Sequence, residues 1–319
     1  MSFIEIVTPS PTGSLGGNRV TGERWARILG ELGHVAMVVD SYKGTDVDAL
    51  VAIHARRSAD AVLEFRIKYP DRPLILGMSG TDLYVDIRND KKAQQALGLA
   101  HRLVLLQPAG LDELPEDARD KARVIYQSVL PVPARSGVVP DGAFNVCVVG
   151  HLRDVKDPFC TAEAARSLPS DSRVNVVHVG KALSPEMEER AVAETGSNDR
   201  YQWRGQLERD ETLELIASCD LLALTSRSEG GANVIGEAIV CGTPVVSSRI
   251  SGSIGLLGAD YPGYFDFGER EQLTALLRRL ETDTAFHLQL TERCVGLAEQ
   301  FSPARELASW RSLLAELEV

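Results

Sequence analysis

Short runs of Val, Ile and Leu alternate with longer amphipathic segments along most of the chain. This alternation predicts βα units around parallel sheets that are buried on both faces. In the first half the predicted strands are 3–8, 35–39, 49–54, 74–77, 103–107 and 124–126. In the second half they are 145–149, 174–179, 221–225 and 244–247. The pattern therefore predicts an α/β fold class.

A proline- and glycine-rich segment, SVLPVPARSGVVPDG at 128–142, interrupts the alternation. Segments of this composition commonly separate domains, and a chain of 319 residues is long enough for two. We therefore expect an N-terminal Rossmann-like domain over 1–130 and a C-terminal one over 142–301. Ser302-Pro303 then predicts the start of a last amphipathic helix over 302–319. The sequence leaves this helix free to pack on either domain.

The predicted helix 20–32 has the pattern of a helix that covers a sheet. Its apolar face is formed by Trp25, Ile28, Leu29 and Leu32. Its charged face, which we expect in solvent, is formed by Arg24, Arg27 and Glu31.

The charge balance argues against a nucleic-acid or membrane partner. The chain carries 34 basic and 45 acidic residues, a formal charge of -11, so no basic field attracts a phosphate backbone or an anionic bilayer. The N-terminus MSFIEIVTPSP has no basic segment followed by an apolar run. No later stretch approaches the roughly 18 apolar residues that span a bilayer. We therefore expect a cytoplasmic protein.

Metal and disulfide chemistry have no signature in the sequence. The five cysteines are odd in number and widely spaced, and the six histidines form no H-E-x-x-H or H-x-H cluster. We expect free thiols, no metal site and no cofactor.

Ligands of open α/β sheets bind outside the carboxyl ends of the strands, so the loops that follow strands are candidate sites. The first strand leads into PSPTGSLGGNR, where Gly13, Gly16 and Gly17 let backbone N–H groups approach an anion. The first strand of the second half leads into GHLRDVKD. Its Arg153 and Lys156 can neutralise a diphosphate, although two solvated cations in a turn are the simpler interpretation when this segment is taken alone.

A third loop, TSRSEGGANVIGEAIVCGTPVVSS at 225–248, contains two carboxylates. Glu229 lies in a glycine-rich turn, and Glu237 lies in the helix that follows. A carboxylate can accept hydrogen bonds from two neighbouring hydroxyls, which suits a sugar. We expect the helix to end at Gly242 and the next strand to begin at Pro244.

Glu229, seven residues, Glu237 and the C-G-T-P-V-V run at 241–246 resemble the E-x7-E signature of retaining glycosyltransferases of the GT-B fold. The segment GHLRDVK resembles the diphosphate clamp of that family, and Gly16-Gly17 resembles its N-terminal glycine loop. The resemblance implies two Rossmann-like domains that face each other across a cleft. It also implies that a UDP-sugar is a substrate and that no metal is required.

The resemblance assigns roles to the matching residues. It implies that Glu229 contacts hydroxyls of the donor sugar and that Glu237 holds the nucleotide ribose. It implies that Lys156 with Arg153 binds the diphosphate. Gly16 and Gly17 would offer the diphosphate backbone N–H groups.

The sequence departs from the family pattern at two places. The usual arginine directly after the clamp glycine is His151 here. The usual E-G-F-G is replaced by Glu229 followed by Gly230, Gly231, Ala232 and Asn233. The second departure opens room beside the donor sugar and puts the Asn233 amide there.

With these departures the chain resembles the bacterial selenosugar synthases of selenoneine biosynthesis. The resemblance lies in the segments GSLGGNRVTGERWARIL, HARRSADAVLEFR, SGTDLYVDI, VLLQPAGLDELP, VIYQSVLP, GHLRDVKDP, SEGGANVIGEA and SGSIGLLGADYPGYF. It implies that a UDP-sugar, typically UDP-N-acetylglucosamine, is coupled to selenophosphate with release of UDP.

Selenophosphate is small and anionic, so its pocket should offer cations and hydrogen-bond donors. The first half contains such groups near the ends of predicted strands. The candidate acceptor residues are Asn18, Arg19, His54, Arg56, Thr81 and Asp82. For each of them a helix cap or a surface ion pair is the structural alternative.

Two other functions remain open. A retaining transferase that glycosylates a hydroxyl would have a polar, weakly charged acceptor site. A nucleotide-sugar-binding protein without turnover would bind UDP-sugars without releasing UDP. The sequence leaves the donor sugar and the oligomeric state undetermined.

Overall fold

The apolar runs become strands of two parallel sheets in the computed structural model, which describes residues 1–13, 16–78 and 80–319. The chain folds into two units. Unit 1 consists of Met1–Ser128 and Ser302–Val319, and unit 2 consists of Val129–Phe301. Most of the predicted linker at 128–142 therefore belongs to unit 2.

The strands are short, and most of them coincide with predicted runs. In unit 1 they are β1 (Phe3–Val7), β2 (Val35–Val39), β3 (Ala49–Ile53), β4 (Leu74–Gly77), β5 (Arg102–Leu105) and β6 (Ala122–Val124). In unit 2 they are β7 (Phe144–Val149), β8 (Val174–Val179), β9 (Tyr201–Trp203), β10 (Leu221–Leu224), β11 (Val245–Ser248) and β12 (Tyr264–Phe265). The prediction missed β9 and β12, because two or three residues are too few to show a periodicity.

Helices fill the connections between most strands. In unit 1 they are α1 (Gly17–Glu31), α2 (Ala59–Lys68), α3 (Ile87–Asn89), α4 (Lys91–Leu99) and α5 (Glu116–Arg119). In unit 2 they are α6 (Cys160–Arg166), α7 (Pro185–Ser197), α8 (Arg209–Ser218), α9 (Asn233–Cys241), α10 (Ser251–Leu257), α11 (Arg270–Thr282) and α12 (Thr284–Val295). The last helix, α13 (Pro303–Glu316), belongs to unit 1. Gly242 ends α9 in the left-handed conformation, as its sequence position predicts.

Each sheet reverses its strand order once. The order is β2-β1-β3-β4-β5-β6 in unit 1 and β12-β11-β10-β7-β8-β9 in unit 2, with parallel neighbours. The reversal lies between β1 and β3 in unit 1, and between β7 and β10 in unit 2. Doubly wound sheets bind ligands outside the carboxyl ends of the strands at such a reversal. The α/β prediction is confirmed.

Helices cover both faces of the unit 1 sheet. On one face, Leu50 and Leu74 of the sheet join a buried cluster with Phe65 of α2. On the other face, Ile75 of β4 joins a cluster that contains Trp25 of α1. Burial on both faces explains why the strands are nearly continuous in apolar residues.

The last helix contributes to the second of these clusters. The indole rings of Trp25 and Trp310 meet edge to face, with their centroids 5.0 Å apart, and both side chains are buried. The helix starts as its sequence predicts, because the Ser302 side chain accepts a hydrogen bond from the Arg305 N–H at 3.3 Å. Helix α13 thus completes the core of unit 1.

The first helix buries its apolar face as predicted, but Arg24 on the opposite face is buried too. It was expected in solvent, but it is only 6% exposed. Burial raises the pKa of Glu306 on α13, and the positive charge of Arg24 opposes that rise. The Glu306 carboxylate also accepts a hydrogen bond from the Ser128 N–H at 2.7 Å. Arg27 and Glu31 of the same face are exposed as predicted, and the periodicity of one helix cannot show that a neighbouring element buries a single residue of that face.

Within the described ranges, no helix is both long enough and apolar enough to span a bilayer.

Candidate functional site

The loops that follow β7 and β10 meet at the strand-order reversal of unit 2. The Thr225 hydroxyl, just after β10, lies 2.9 Å from the carbonyl oxygens of both Lys156 and Asp157. The Arg227 N–H donates to the Val155 carbonyl at 2.8 Å. Because β7 and β10 are parallel neighbours, their carboxyl ends lie at the same edge of the sheet. The sheet therefore brings together two loops that the sequence analysis had treated separately.

Lys156 and Glu229 form an ion pair between these two loops. The Lys156 ammonium contacts Glu229 Oε1, and the side chains are 20% and 12% exposed. A half-buried pair of this kind is less screened than a surface pair, because little water surrounds it. A cation and a carboxylate from two different loops are thus held in one place.

Neighbouring residues contact both the side chain and the backbone of Glu229. The Ser226 hydroxyl donates to Glu229 Oε1 at 2.6 Å. Gly252 of α10 packs directly on Glu229, and a Cβ atom at this position would overlap the Glu229 carbonyl oxygen. Gly252 was not among the predicted site residues, since a glycine inside a helix carries no signal of what it packs against.

Glu237 is held by a residue that the sequence analysis missed. Its carboxylate on α9 is buried and accepts a hydrogen bond from Arg209 at 3.0 Å. Arg209 is the first residue of α8. A cation is unfavourable at a helix N-terminus, where the helix dipole is positive. The unfavourable position of Arg209 at the start of α8 was the sequence signal that could have indicated a carboxylate partner elsewhere.

His151 is neutral and presents one N–H group. Its Nδ1 accepts a hydrogen bond from the Lys181 N–H at 3.1 Å, so the proton of the neutral ring lies on Nε2. Burial lowers the pKa of His151, and the positive charges of Arg153, Lys156 and Lys181 lower it further. The residue in the place of the family's arginine is therefore a hydrogen-bond donor without charge at neutral pH.

The remaining donor-site candidates of unit 2 lie on the same two loops. Arg153 is exposed beside the turn Asp154–Lys156. Gly230 and Gly231 follow Glu229, and Asn233 is the first residue of α9. The predicted roles of Arg153 toward the diphosphate and of the other three residues toward the donor sugar stay predictions.

The glycine loop of unit 1 leads into α1. Gly16 caps the helix and Gly17 is its first residue, while Ser14 and Leu15 lie outside the described residues. Asn18 is half-buried. Arg19 is buried, and its guanidinium contacts Glu23 at 2.6 Å and Asp40 at 3.2 Å. Arg19 is therefore already ion-paired within unit 1.

His54 follows β3 at the strand-order reversal of unit 1 and has an unusual backbone. Its φ of 76° lies in the left-handed region, which is rare for a residue with a side chain. His54 is buried, and its Nε2 lies 3.3 Å from the Thr81 hydroxyl. Burial lowers the pKa of His54, while Asp82 and Asp86 oppose that shift.

Two carboxylates surround His54. The fully buried Asp82 accepts hydrogen bonds from the Ala55 N–H at 2.9 Å and the Gly80 N–H at 2.8 Å. Arg56 donates to Asp86 at 3.1 Å. The structure therefore brings His54, Arg56, Thr81 and Asp82 into one cluster. Asp86 also belongs to it and was missed by the sequence analysis. Ser79 of the same segment lies outside the described residues.

In the part of the chain that the structure describes, no three His, Cys, Asp or Glu side chains are arranged to hold a metal ion.

The family model "Glycosyl transferases group 1" matches residues 134–295, about half of the chain. Among curated proteins, the chain is 27% identical over 176 residues to a D-inositol 3-phosphate glycosyltransferase of Mycolicibacterium smegmatis. It is 28% identical over 193 residues to a 2-deoxystreptamine glucosyltransferase of Streptomyces kanamyceticus. These matches cover 52% and 59% of this chain, but they span only 37% and 48% of the two relatives.

The solved structures show the fold. Anabaena Alr3699/HepE, crystallised with UDP-glucose, superimposes with a TM-score of 0.79 at 18% identity, covering 99% of this chain and 100% of that one. A sucrose-phosphate synthase from Thermosynechococcus elongatus gives a TM-score of 0.78 at 14% identity, covering 99% of each chain. The fold is that of the GT-B glycosyltransferases.

Proposed function

The chain belongs to the glycosyl transferases group 1 family, and from that premise we propose that it couples a UDP-sugar to selenophosphate and releases UDP. The sugar is N-acetylglucosamine in this proposal, and the product is a selenosugar of selenoneine biosynthesis. The choice of UDP is supported by structural neighbours solved with UDP-glucose and with UDP. The choice of acceptor rests on the sequence segments that resemble selenosugar synthases.

The proposed donor site rests on one observation, the Lys156–Glu229 ion pair at the strand-order reversal of unit 2. A diphosphate placed at this loop competes with Glu229 for the Lys156 ammonium. Once Lys156 turns to the diphosphate, the Glu229 carboxylate is free to accept hydrogen bonds from the sugar hydroxyls. The ion pair thus keeps both groups ordered until the donor replaces it.

In the proposed reaction, selenium forms a bond to the anomeric carbon while the bond from that carbon to the diphosphate oxygen breaks. The electron pair of the broken bond leaves with UDP, and the phosphoryl group of selenophosphate stays bonded to selenium in this step. Lys156 neutralises the charge that develops on the diphosphate, and the neutral His151 donates a hydrogen bond to it. Selenophosphate is already anionic, so no general base has to remove a proton from it.

The acceptor cluster around His54 offers this anion the Thr81 hydroxyl and the Arg56 guanidinium. Arg56 is 46% exposed, so it can swing from Asp86 to a bound anion. We propose that selenophosphate binds here and that Asp82 holds the loop through its two backbone hydrogen bonds.

A hydroxyl acceptor is the second candidate, and the charges of unit 1 favour it. Arg19 and Arg56 both contact carboxylates, and Asp82 and Asp86 lie beside His54. An acceptor without charge would meet less repulsion from these carboxylates than an anion would. The family relatives named above are glycosyltransferases of inositol phosphate and of 2-deoxystreptamine.

Mass spectrometry separates these candidates. The purified protein is incubated with UDP-N-acetylglucosamine, with and without freshly generated selenophosphate. A selenium-containing sugar formed in step with UDP supports the proposal. UDP release without a selenium product would contradict selenophosphate as the acceptor and favour a hydroxyl acceptor. If UDP-sugars bind and no UDP is released with any acceptor, the protein is a binding protein without turnover.

A further inference from the structure

Two buried aromatic side chains lie behind the loop that follows β7. The Tyr201 hydroxyl is 2.9 Å from His178 Nδ1, and His178 Nε2 is 3.2 Å from the carbonyl oxygen of Gly150. His178 is fully buried on β8, and Tyr201 is nearly so on β9. Neither residue belongs to the motifs that carry the glycosyltransferase resemblance. Their hydrogen bonds nevertheless end on the first residue of the proposed diphosphate loop.

These hydrogen bonds can run in only one direction. A carbonyl oxygen only accepts, so His178 Nε2 carries the proton. Nδ1 of the neutral ring is then the acceptor, and the Tyr201 hydroxyl is the donor. Burial lowers the pKa of His178 to about 4 and raises the pKa of Tyr201. Both groups are therefore neutral near pH 7, and the arrangement persists there.

The hydrogen bond from His178 fixes the peptide unit between Gly150 and His151. In a trans peptide unit the C=O and N–H groups point in opposite directions, and the described chain contains no cis peptide bond. A Gly150 carbonyl that faces buried His178 therefore turns the His151 N–H away from the core. Among the residues that the structure describes, this N–H has no hydrogen-bond acceptor.

Gly180, which directly follows β8, packs against the same peptide unit. A Cβ atom on Gly180 would overlap the Gly150 carbonyl oxygen, and its φ of +148° disfavours a side chain. The Gly150 N–H donates to Val179, and the Leu152 N–H donates to Lys181, at 2.9 and 3.0 Å. The peptide unit is thus held on its buried side, with its N–H directed away from the core.

We propose that Tyr201 and His178 are positioning residues that aim the His151 N–H at an oxygen of the donor diphosphate. This inference rests on the proposed function, because it requires a diphosphate at the Gly150–Lys156 loop. The fixed N–H complements the flexible Lys156 ammonium on the same loop. Because it is oriented before binding, it stabilises the charge on the departing UDP without reorganisation.

The test compares the binding of UDP and of uridine to the full chain. Uridine has no phosphate, so misorientation of the His151 N–H should leave its affinity unchanged. The variant His178→Leu should weaken UDP binding about tenfold, the effect of losing one hydrogen bond to a charged group. Tyr201→Phe should weaken it by about threefold, because the ring of His178 remains but is less firmly oriented. His178→Gln keeps an N–H donor and should recover most of the affinity.

Tyr261→Phe is the matched control, since it removes another buried tyrosine hydroxyl of unit 2 that donates to the Val245 carbonyl. It should leave both affinities unchanged. Calorimetry gives the UDP affinity, ligand-observed NMR gives the uridine affinity, and thermal unfolding shows that each variant is folded. The inference is overturned if UDP and uridine weaken in parallel, or if Tyr201→Phe and Tyr261→Phe behave alike. If the unchanged protein binds no UDP, the proposed function itself fails.

Discussion

Lys156 and Glu229 are 73 positions apart in the sequence and form an ion pair at the carboxyl ends of β7 and β10. The contact depends on the parallel pairing of these strands, which places both loops at one edge of the sheet. Each residue neutralises the charge of the other. A ligand that binds here must therefore offer a charge to Lys156 and hydrogen-bond donors to Glu229. A nucleotide diphosphate attached to a sugar meets both requirements.

Removal of either member of this pair should abolish turnover. We expect Lys156→Ala and Glu229→Ala each to lower kcat for UDP release by at least about 100-fold, the usual effect of losing one group that stabilises charge in a transition state. Circular dichroism should show a native fold in both. The ion pair Arg278–Asp171 on the surface of unit 2 provides the control, and Asp171→Ala should retain full activity. A wild-type rate in either site variant would remove the donor-site assignment.

Gly252 should be sensitive to the addition of a single methyl group. In Gly252→Ala the new Cβ atom overlaps the Glu229 carbonyl oxygen, so the Glu229 backbone has to shift. A displacement of about 1 Å at a catalytic group can cost about 100-fold in rate, and overpacking lowers the free energy of unfolding by about 1–3 kcal/mol. Steady-state kinetics and urea unfolding measure the two effects.

Gly196 offers a matched substitution for this experiment. It lies in α7 of the same unit, and a Cβ atom there would meet nothing within 4 Å. Gly196→Ala should keep the wild-type rate and raise the free energy of unfolding by about 0.5–1 kcal/mol, since alanine favours a helix over glycine. Equal rates in the Gly252 and Gly196 variants would show that Gly252 does not position Glu229.

The Arg209–Glu237 contact leads to a prediction about how the ribose of UDP is recognised. If Glu237 accepts hydrogen bonds from ribose hydroxyls, the protein should bind UDP more tightly than its 2′,3′-dideoxy analogue. Glu237→Ala should remove that preference, and Arg209→Ala should reduce it about threefold because the carboxylate loses the partner that orients it. Competition binding measures the two ligands side by side. A preference that survives in Glu237→Ala would place the ribose elsewhere.

His178 should make the protein less stable in acid. Its pKa is about 4 in the folded protein because of burial, against 6.5 for an exposed histidine. Between these values the unfolded chain binds more protons than the folded one. The stabilisation is therefore complete above pH 6.5 and is lost as the pH falls toward 4, with a total of ~3 kcal/mol in the free energy of unfolding.

Urea unfolding of the wild type and His178→Leu at several pH values between 7.5 and 4 isolates this contribution. Buried Glu306 and Glu5 have raised pKa values and act in the opposite direction, but they are common to both proteins. The difference in the free energy of unfolding between the two proteins should shrink as the pH falls. A difference that is constant with pH would contradict a neutral, buried His178.

Several features of the fold were predictable because they depend on local patterns. The apolar runs at 35–39, 74–77 and 174–179 coincide with β2, β4 and β8. The cap at Ser302 and the end of α9 at Gly242 follow from the preferences of single residues. The E-x7-E spacing likewise places Glu229 before α9 and Glu237 within it. Each of these features involves residues close together in the chain.

Other features required the tertiary structure because they join segments far apart in the chain. Sequence alone left the partner of α13 undecided, and the contact between Trp25 and Trp310 assigns it to unit 1. The charge of Arg24 acts on Glu306 of that same helix, where it opposes the rise in the pKa of the carboxyl group. Three further contacts could not be predicted from local patterns. Arg209 contacts Glu237, and Gly252 packs on Glu229. His178 donates a hydrogen bond to the Gly150 carbonyl oxygen.

Local sequence patterns were sufficient to predict most of the strands, to nominate residues for a donor site, and to indicate the family that the chain resembles. Which of those residues come into contact depends on the tertiary structure. The strand order at the reversal between β7 and β10 determines which loops lie at the same edge of the sheet. Periodicity specifies which face of an element is buried. It contains no information about which other element buries it, and that choice placed Lys156 against Glu229 and His178 behind Gly150.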